Sequence, residues 1–310
     1  MIPRRLLAAA ILAASAGALL AQEPRFRVDV RLVRILATVK TGSGQLVGDL
    51  QKSDFQVFDN GVRQELAVFE HHNEQPLSIA LMIDTSASTG IDLRYESDSV
   101  SRFLHALFRE GNPQDAVKLY SFNYDTTPLS GFTRRADLLE RALKGLKSEG
   151  GTSLHDALSF AADSLEDREG RHVIVVVTDG GDTTSAKNFH QALEAAQLAD
   201  AVIYPVLVVP ITNDPGRNTG GEHALTTLAQ GTGGRVFEPT LGEALDQAFT
   251  EILRELRTQY LLGYYPKNVP PAKERFHRLE VRLPRPDLRV LSRSGYYGEA
   301  EQAVGWKLAR

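Results

Sequence analysis

Hydrophobic positions change period along this chain, and each period predicts a different element. Residues 26–40 alternate, with Val28, Val30 and Leu32 on one face and Arg27, Asp29 and Arg31 on the other. That is the pattern of a half-buried antiparallel strand. Further strands are expected at 45–50, 54–59 and 64–69, separated by Thr41-Gly42-Ser43-Gly44 and Asp59-Asn60-Gly61 turns. At Ile79 the alternation stops. Residues 79–83 run unbroken into Asp84, and 172–178 run likewise into Asp179. Short apolar runs of this kind are strands buried on both faces of a parallel sheet.

Between these runs the spacing is helical. Val100, Phe103, Leu104 and Leu107 share one face of a helix over 98–108. Helices are also expected at 136–146, 154–165, 188–198, 224–229 and 241–256. Strands are expected at 115–124, 201–209 and 235–237, with a hairpin edge at 128–132 and a polar loop at 212–222. Pro205 cannot donate to a ladder and marks an edge or a bulge. After 258 the chain returns to β structure at 259–264, 275–283 and 289–296.

The order predicts an α/β fold, a doubly wound and mostly parallel sheet flanked by helices over 77–257, with right-handed crossovers. The β segments at 22–76 and 258–298 are expected to pack with each other as a small β-sandwich built from both chain ends, leaving 299–310 as a tail.

Composition sharpens this picture at three points. The 310 residues include no cysteine, which excludes disulfides, thiolate metal sites and a cysteine nucleophile. Arg4-Arg5 precede an apolar stretch over 6–21, a basic and then hydrophobic leader that reads as a secretory signal cleaved after Ala18 or Ala21, or else kept as an anchor. The protein is therefore expected to be exported, to the periplasm, the cell surface or beyond, with no transmembrane span once the signal is removed. A basic excess after Arg254 comes with no aromatic platform or nucleic-acid motif, so it reads as a solvated face and no nucleic-acid partner is expected. The net charge of −4 implies no special partner.

Candidate chemistry gathers where the apolar runs stop. Asp84, Ser86 and Ser88 occupy alternate positions in a short polar loop beyond a strand's carboxyl end, where open α/β sheets bind ligands. One carboxylate and two hydroxyls offer only hard oxygen ligands, which suit Mg²⁺, Mn²⁺ or Ca²⁺. Gly150-Gly151-Thr152 presents another hydroxyl before a helix, and Asp179 ends the second buried run. Each also has a local alternative: Asp84 and Ser86 as turn and cap residues, Thr152 as a helix cap, Asp179-Gly180 as a turn. Asp49, Asp54 and Asp59 are read as turn and cap residues. His71-His72 point to opposite faces of a strand, the other histidines lack zinc spacing, and His155 lies one turn beyond Thr152.

D-x-S-x-S after a hydrophobic strand, then G-G-T-S-L, then V-V-V-T-D-G resembles the von Willebrand factor type A domain and its metal-ion-dependent adhesion site. Matched position by position, the resemblance makes Asp84, Ser86 and Ser88 the first ligand loop, Thr152 the second and Asp179 the third. The strings from Val47 to Gln64, L-L-G-Y-Y-P and R-S-G-Y-Y resemble segments flanking that domain in a group of exported bacterial proteins best known from Acidobacteria. The resemblance implies one divalent cation, Mg²⁺ first and Mn²⁺ or Ca²⁺ as alternatives. It also implies a protein partner whose Asp or Glu carboxylate fills an open position on the ion. Ala87 and Thr89 depart from the glycine and methionine that family members often carry there. No catalytic residue is expected. A Mg²⁺-dependent hydrolase or phosphoryl-transfer enzyme would need a base, a nucleophile or a phosphate loop, and neither G-x-S-x-G, G-x-x-x-x-G-K-[ST] nor H-E-x-x-H is present. A module in which metal merely braces the sheet edge is the third reading.

Overall fold

The computed structural model describes residues 32–71, 75–90, 92–208, 219–240, 242–270, 272 and 275–298. The expected signal, the start of the first strand, His72, most of the loop expected at 212–222 and the tail lie outside them.

Alternation builds β1 (Val33–Thr41), whose Val33, Ile35, Ala37 and Val39 enter a single core. β2 (Gln56–Asp59) and β3 (Val62–Gln64) form a hairpin across Asn60 and Gly61. Both turn residues have positive φ, 45° and 80°, as a two-residue turn matched to strand twist requires. β4 (Leu66–Glu70) follows. The strand expected at 45–50 is not one: Leu46 makes a lone bridge to Lys40. Its backbone is satisfied partly by β1, with Val47 N donating to Val39 O (2.9 Å), and partly by the Tyr260 hydroxyl, which donates to Val47 O (2.9 Å) and accepts from Leu50 N (3.1 Å).

The apolar run becomes β5 (Leu77–Asp84), buried at every position. Next come α1 (Leu93–Glu110), β6 (Ala116–Phe122), β7 (Thr126–Pro128), α2 (Ala136–Leu143), α3 (Leu154–Asp163), β8 (Arg171–Thr178), α4 (Phe189–Leu198), β9 (Ala201–Leu207), α5 (Thr219–Thr232) and α6 (Glu243–Thr258). The strands form one sheet in the order β7-β6-β5-β8-β9, parallel except for β7. Alternate residues of β5 and β8 face opposite cores. Ile79, Leu81, Ile83, Val173 and Val175 meet α1, α2 and α6, whereas Ala80, Met82, Ile174 and Val176 meet α3, α4 and α5. Each of these side chains other than Ala80 contributes about 1.5–3 kcal/mol on burial. Pro205 sits on the edge strand β9, as its missing N–H demands.

Several boundaries differ from expectation: the hairpin edge is β7 at Thr126–Pro128, not 128–132, and α2 ends at Leu143, not 146. α1 begins at Leu93, not at 98. The helix expected at 224–229 spans Thr219–Thr232, because Thr226, Thr227 and Thr232 donate their hydroxyls to carbonyls four residues back and so fit inside it. The strand expected at 235–237 is a single bridge, Phe237 to Val206.

β10 (Tyr260–Tyr264), β11 (Phe276–Arg282), β12 (Leu288–Ser292) and β13 (Gly295–Tyr297) complete two antiparallel sheets, β12-β1-β10-β4 and β13-β11-β2-β3. These pack over a shared core containing Ile35, Val57, Tyr260, Leu262 and Val281, the sandwich expected from both chain ends. Among the described residues no helix is long and apolar enough to cross a membrane.

Asp59 is not a turn residue in function. It is fully buried, its Oδ2 accepts from Tyr264 OH (2.7 Å) and Tyr296 OH (2.8 Å), and His277 Nδ1 lies 3.1 Å from Oδ1. Burial and then the neighbouring Asp59 hold both tyrosines above their ordinary range, so both stay protonated donors. Asp59→Ala would leave the buried Tyr264 hydroxyl and the part-buried Tyr296 hydroxyl without their acceptor and is expected to cost ~2–4 kcal/mol. The measurement is the urea midpoint, and a loss under ~1 kcal/mol would reject this cluster as the lock between the two sheets.

Candidate metal centre

Parallel pairing aligns β5 with β8, so the loops after Asp84 and Thr178 open at the same sheet edge. Asp84 is fully buried. Its Oδ1 accepts from Ser86 N (2.9 Å) and its Oδ2 from Thr178 Oγ1 (2.6 Å). Ser86 Oγ and Ser88 Oγ lie 3.1 Å apart. Thr89 Oγ1 donates to Asp84 O and Ser86 O, both at 3.0 Å, and closes the loop on itself. α1 starts only at Leu93 behind Asp92, so neither Asp84 nor Ser86 caps it.

The second loop is bound to the first by Ala87 N donating to Gly150 O (3.1 Å), Glu149 N to Thr85 O (2.9 Å) and Ser148 Oγ to Ser86 O (2.5 Å). Gly150 needs to be glycine: its φ is +77°, and a Cβ there would lie 2.4 Å from the Tyr124 ring. Thr152 does not cap α3. Its backbone is used by the third loop, with N donating to Thr183 Oγ1 (2.9 Å) and O accepting from Thr183 N (2.8 Å) and Thr184 N (3.1 Å). The cap comes from Asp182, whose Oδ1 accepts from Leu154 N (2.8 Å) and whose Oδ2 meets His155 Nδ1 at 3.1 Å. Asp179 accepts from Gly181 N through Oδ1 (3.2 Å). The three loops are therefore laced into one surface. Asp84, Ser86 and Ser88 converge directly, while Thr152 and Asp179 stand on loops tied to theirs.

Two contributors escaped sequence reasoning. Thr178 holds Asp84 and also accepts from Gly180 N (3.1 Å). Glu96 on α1 is 1% exposed, and its Oε2 has no hydrogen-bond partner among the described residues. Burial, then the charges of Asp84, Asp92 and Asp179, push its carboxyl up to about 8. The signal was there: Leu93, Glu96, Val100 and Phe103 continue one helical stripe, so Glu96 is an acid at a core position. Burial raises Asp84 to about 6, opposed by the bonds from Thr178 and Ser86 and helped by the charge of Asp179.

The donor set fits a hard divalent cation. Among the described residues no group of three or more His, Cys, Asp or Glu side chains is arranged to hold a metal. An ion here would depend on the hydroxyls as much as on the acids. What the acids add is negative charge in a low-dielectric setting with too few donors, which a cation would neutralise.

Residues 78–251 match the von Willebrand factor type A domain family. The vWF domain of the type V pili tip protein Mfa5 from Porphyromonas gingivalis shares the fold with a TM-score of 0.50 at 15% identity, covering 58% of this chain and 95% of that one. BatB from Bacteroides thetaiotaomicron gives a TM-score of 0.47 at 17% identity, over 58% of this chain and 98% of that one. The PilB minor pilin from Streptococcus sanguinis gives 0.47 at 13%, over 60% and 62%. No match to the chain was found among curated proteins.

In metal-free protein the Glu96 shift has a definite sign. Its carboxyl is raised in the folded state, so the folded chain holds the proton that the unfolded chain releases, and stability falls as pH rises from the ordinary glutamate range towards 8. Glu96→Gln removes this penalty. In EDTA its stability gain over wild type should grow with pH by up to ~1.4 kcal/mol per unit across that window. A gain independent of pH would show that Glu96 is not held protonated.

Proposed function

Because the chain belongs to the von Willebrand factor type A domain family, we propose that it is an exported protein-binding module whose candidate centre takes one divalent cation and, through it, a carboxylate of a protein partner. The observation that supports this most directly is a buried Asp84, fixed by Thr178 and Ser86 N, within the field of Asp179. Asp84, Ser86, Ser88, Thr152 and Asp179 are the residues that would hold the ion, with Mg²⁺ preferred and Mn²⁺ or Ca²⁺ as alternatives. When bound, the ion supplies a positive, oxygen-seeking position open to an Asp or Glu side chain of the partner.

The chain's own part is preorganisation. Thr178 and Ser86 N aim the Asp84 carboxylate, and the Thr89 hydroxyl holds the carbonyls of the loop inward. Serine and threonine hydroxyls are neutral ligands, so two acids leave the ion's charge unsatisfied and available to an incoming anion. Ala87, where relatives often carry glycine, is not among the positive-φ residues and fits its 3₁₀ turn without strain. The leader at Arg4-Arg5 and 6–21 supports export. A binding role requires no general base or nucleophile, and none is assigned.

Calorimetric titration of Mg²⁺, Mn²⁺ and Ca²⁺ into EDTA-stripped protein tests this reading. One-to-one binding is expected, weakened at least tenfold in Asp84→Ala, with circular dichroism confirming that the variant is folded. No binding of any of the three ions to wild type would reject the metal, and partner capture that persists in EDTA would reject its role in binding.

A further inference from the structure

α1 packs on the sheet through Leu93, Val100, Phe103, Leu104 and Leu107, which share a core with Leu81 and Ile83 of β5. Glu96 lies on the same stripe, between Leu93 and Val100, and is 1% exposed. Glutamate is almost never buried to this degree unless it is paired. Here no pair exists among the described residues, and Oε2 is enclosed without a donor. A short chain of bonds ties this position to the first loop. Thr89 Oγ1 donates to Asp84 O, Asp92 N to Thr89 O and Glu96 N to Asp92 O, each at 3.0 Å.

Local structure gives the Glu96 carboxyl no work. An acid in the first turn of a helix ordinarily caps a free amide or faces the helix dipole from solvent. Glu96 does neither: its own N–H is already inside the helix ladder, and its side chain accepts from no amide among the described residues. The charges acting on it, those of Asp84, Asp92 and Asp179, are all negative. A leucine at this position would extend the stripe and stabilise the metal-free fold. The acid is therefore a cost to that fold, with no compensation inside it.

A divalent cation among the same acids reverses the sign. A carboxylate that repels Asp84 and Asp179 attracts an ion placed between them, and in a low-dielectric interior that attraction acts without contact. Contact is not on offer, because Glu96 is enclosed and no three acids among the described residues are arranged to hold a metal together. The bases of the adjoining segments, Arg94 and Lys147, are exposed and screened by water, so they do not cancel a buried charge.

We propose that Glu96 is the third acid of the candidate metal centre, a buried charge that raises affinity for a divalent cation through its field rather than as a ligand. This rests on the reading of that centre as a metal site. Asp84, Ser86, Ser88, Thr152 and Asp179 would touch the ion, and Glu96 would act on it from beneath the first loop. The same carboxylate weakens the metal-free fold and strengthens the loaded one. Loading the centre thus also secures the first turn of α1 against the sheet.

The test is calorimetric titration of Mg²⁺, Mn²⁺ and Ca²⁺ into the EDTA-stripped full chain near pH 8, where the Glu96 carboxyl readily ionises. Glu96→Gln keeps the shape and removes the charge. It should bind each ion roughly tenfold more weakly than wild type, by a similar factor for all three, since a field is blind to ion size. Glu110→Gln removes the same charge from the exposed far end of α1 and should bind as wild type does. Thermal unfolding supplies the second readout. In EDTA, Glu96→Gln should melt above wild type, whereas a fixed excess of Mg²⁺ should raise wild type by more than the variant. Glu96→Met serves for both readouts if the amide is not tolerated.

Absence of ion binding to wild type would reject the metal site itself. Binding to wild type with equal affinity in Glu96→Gln would overturn the role of Glu96 alone, as would equal weakening by Glu110→Gln. A changed order of preference among the three ions would make Glu96 a ligand and overturn action through its field. Variants at Glu96 that melt below wild type in EDTA would mark the acid as structural support and overturn the proposal.

Discussion

Parallel register between β5, β6 and β8 is the constraint on which the rest of this molecule depends. Leu77–Asp84 pairs with β8 over seven positions from Leu77↔Arg171 to Ile83↔Val177, and with β6 over seven from Ser78↔Ala116 to Asp84↔Phe122. A slip of one residue would exchange the two cores, turning Ile79 and Leu81 toward the helices that Ala80 and Met82 now meet. It would also part Asp84 from Thr178. The same apolar pairing that stabilises the sheet thus sets the position of the acids at its carboxyl end.

The two ends of the sheet carry opposite electrostatic problems. At the carboxyl edge, Asp84, Glu96 and Asp179 bring three acids together, and burial raises the carboxyls of Asp84 and Glu96 there; at the amino edge, the guanidinium of Arg171 is buried in the field of Asp115. Burying charge without a partner is costly. A chain selected for stability alone would place leucine or methionine at such positions.

Legibility in the sequence follows the range of the interaction that gives each residue its role. The buried runs of β5 and β8 stand out because burial on both faces leaves an unbroken apolar string. Asp84, Ser86 and Ser88 were readable as one constellation because three alternate positions in one loop must lie near each other. Asp59 was misread as a turn residue because its partners, Tyr264 and Tyr296, are 205 and 237 positions away. Thr178 hid inside an apolar strand, its purpose visible only across 94 residues. Glu96 was lost to a helix boundary, since starting the helix at 98 left it in an assumed loop. Asp182 took over the capping that Thr152 was free to perform, a substitution no local pattern reports.

The junction between α6 and β10 has a mechanical meaning. Gln259 is the one residue between them; it is buried, and its Nε2 donates to Thr38 Oγ1 on β1 and to Tyr204 OH on β9, both at 3.2 Å. The carboxyl end of the helix is thereby pinned to both layers at once and continues without slack into an inner strand of the sandwich. Sliding of this helix along its axis as a piston would break both bonds. Its other end, beside Gly242 with its φ of +81°, is held by the buried Leu245 and the Arg102–Asp246 pair, so that any transmitted motion would be a swing about the Gln259 pivot that breaks this pair, with the sandwich as the pedestal that bears the load.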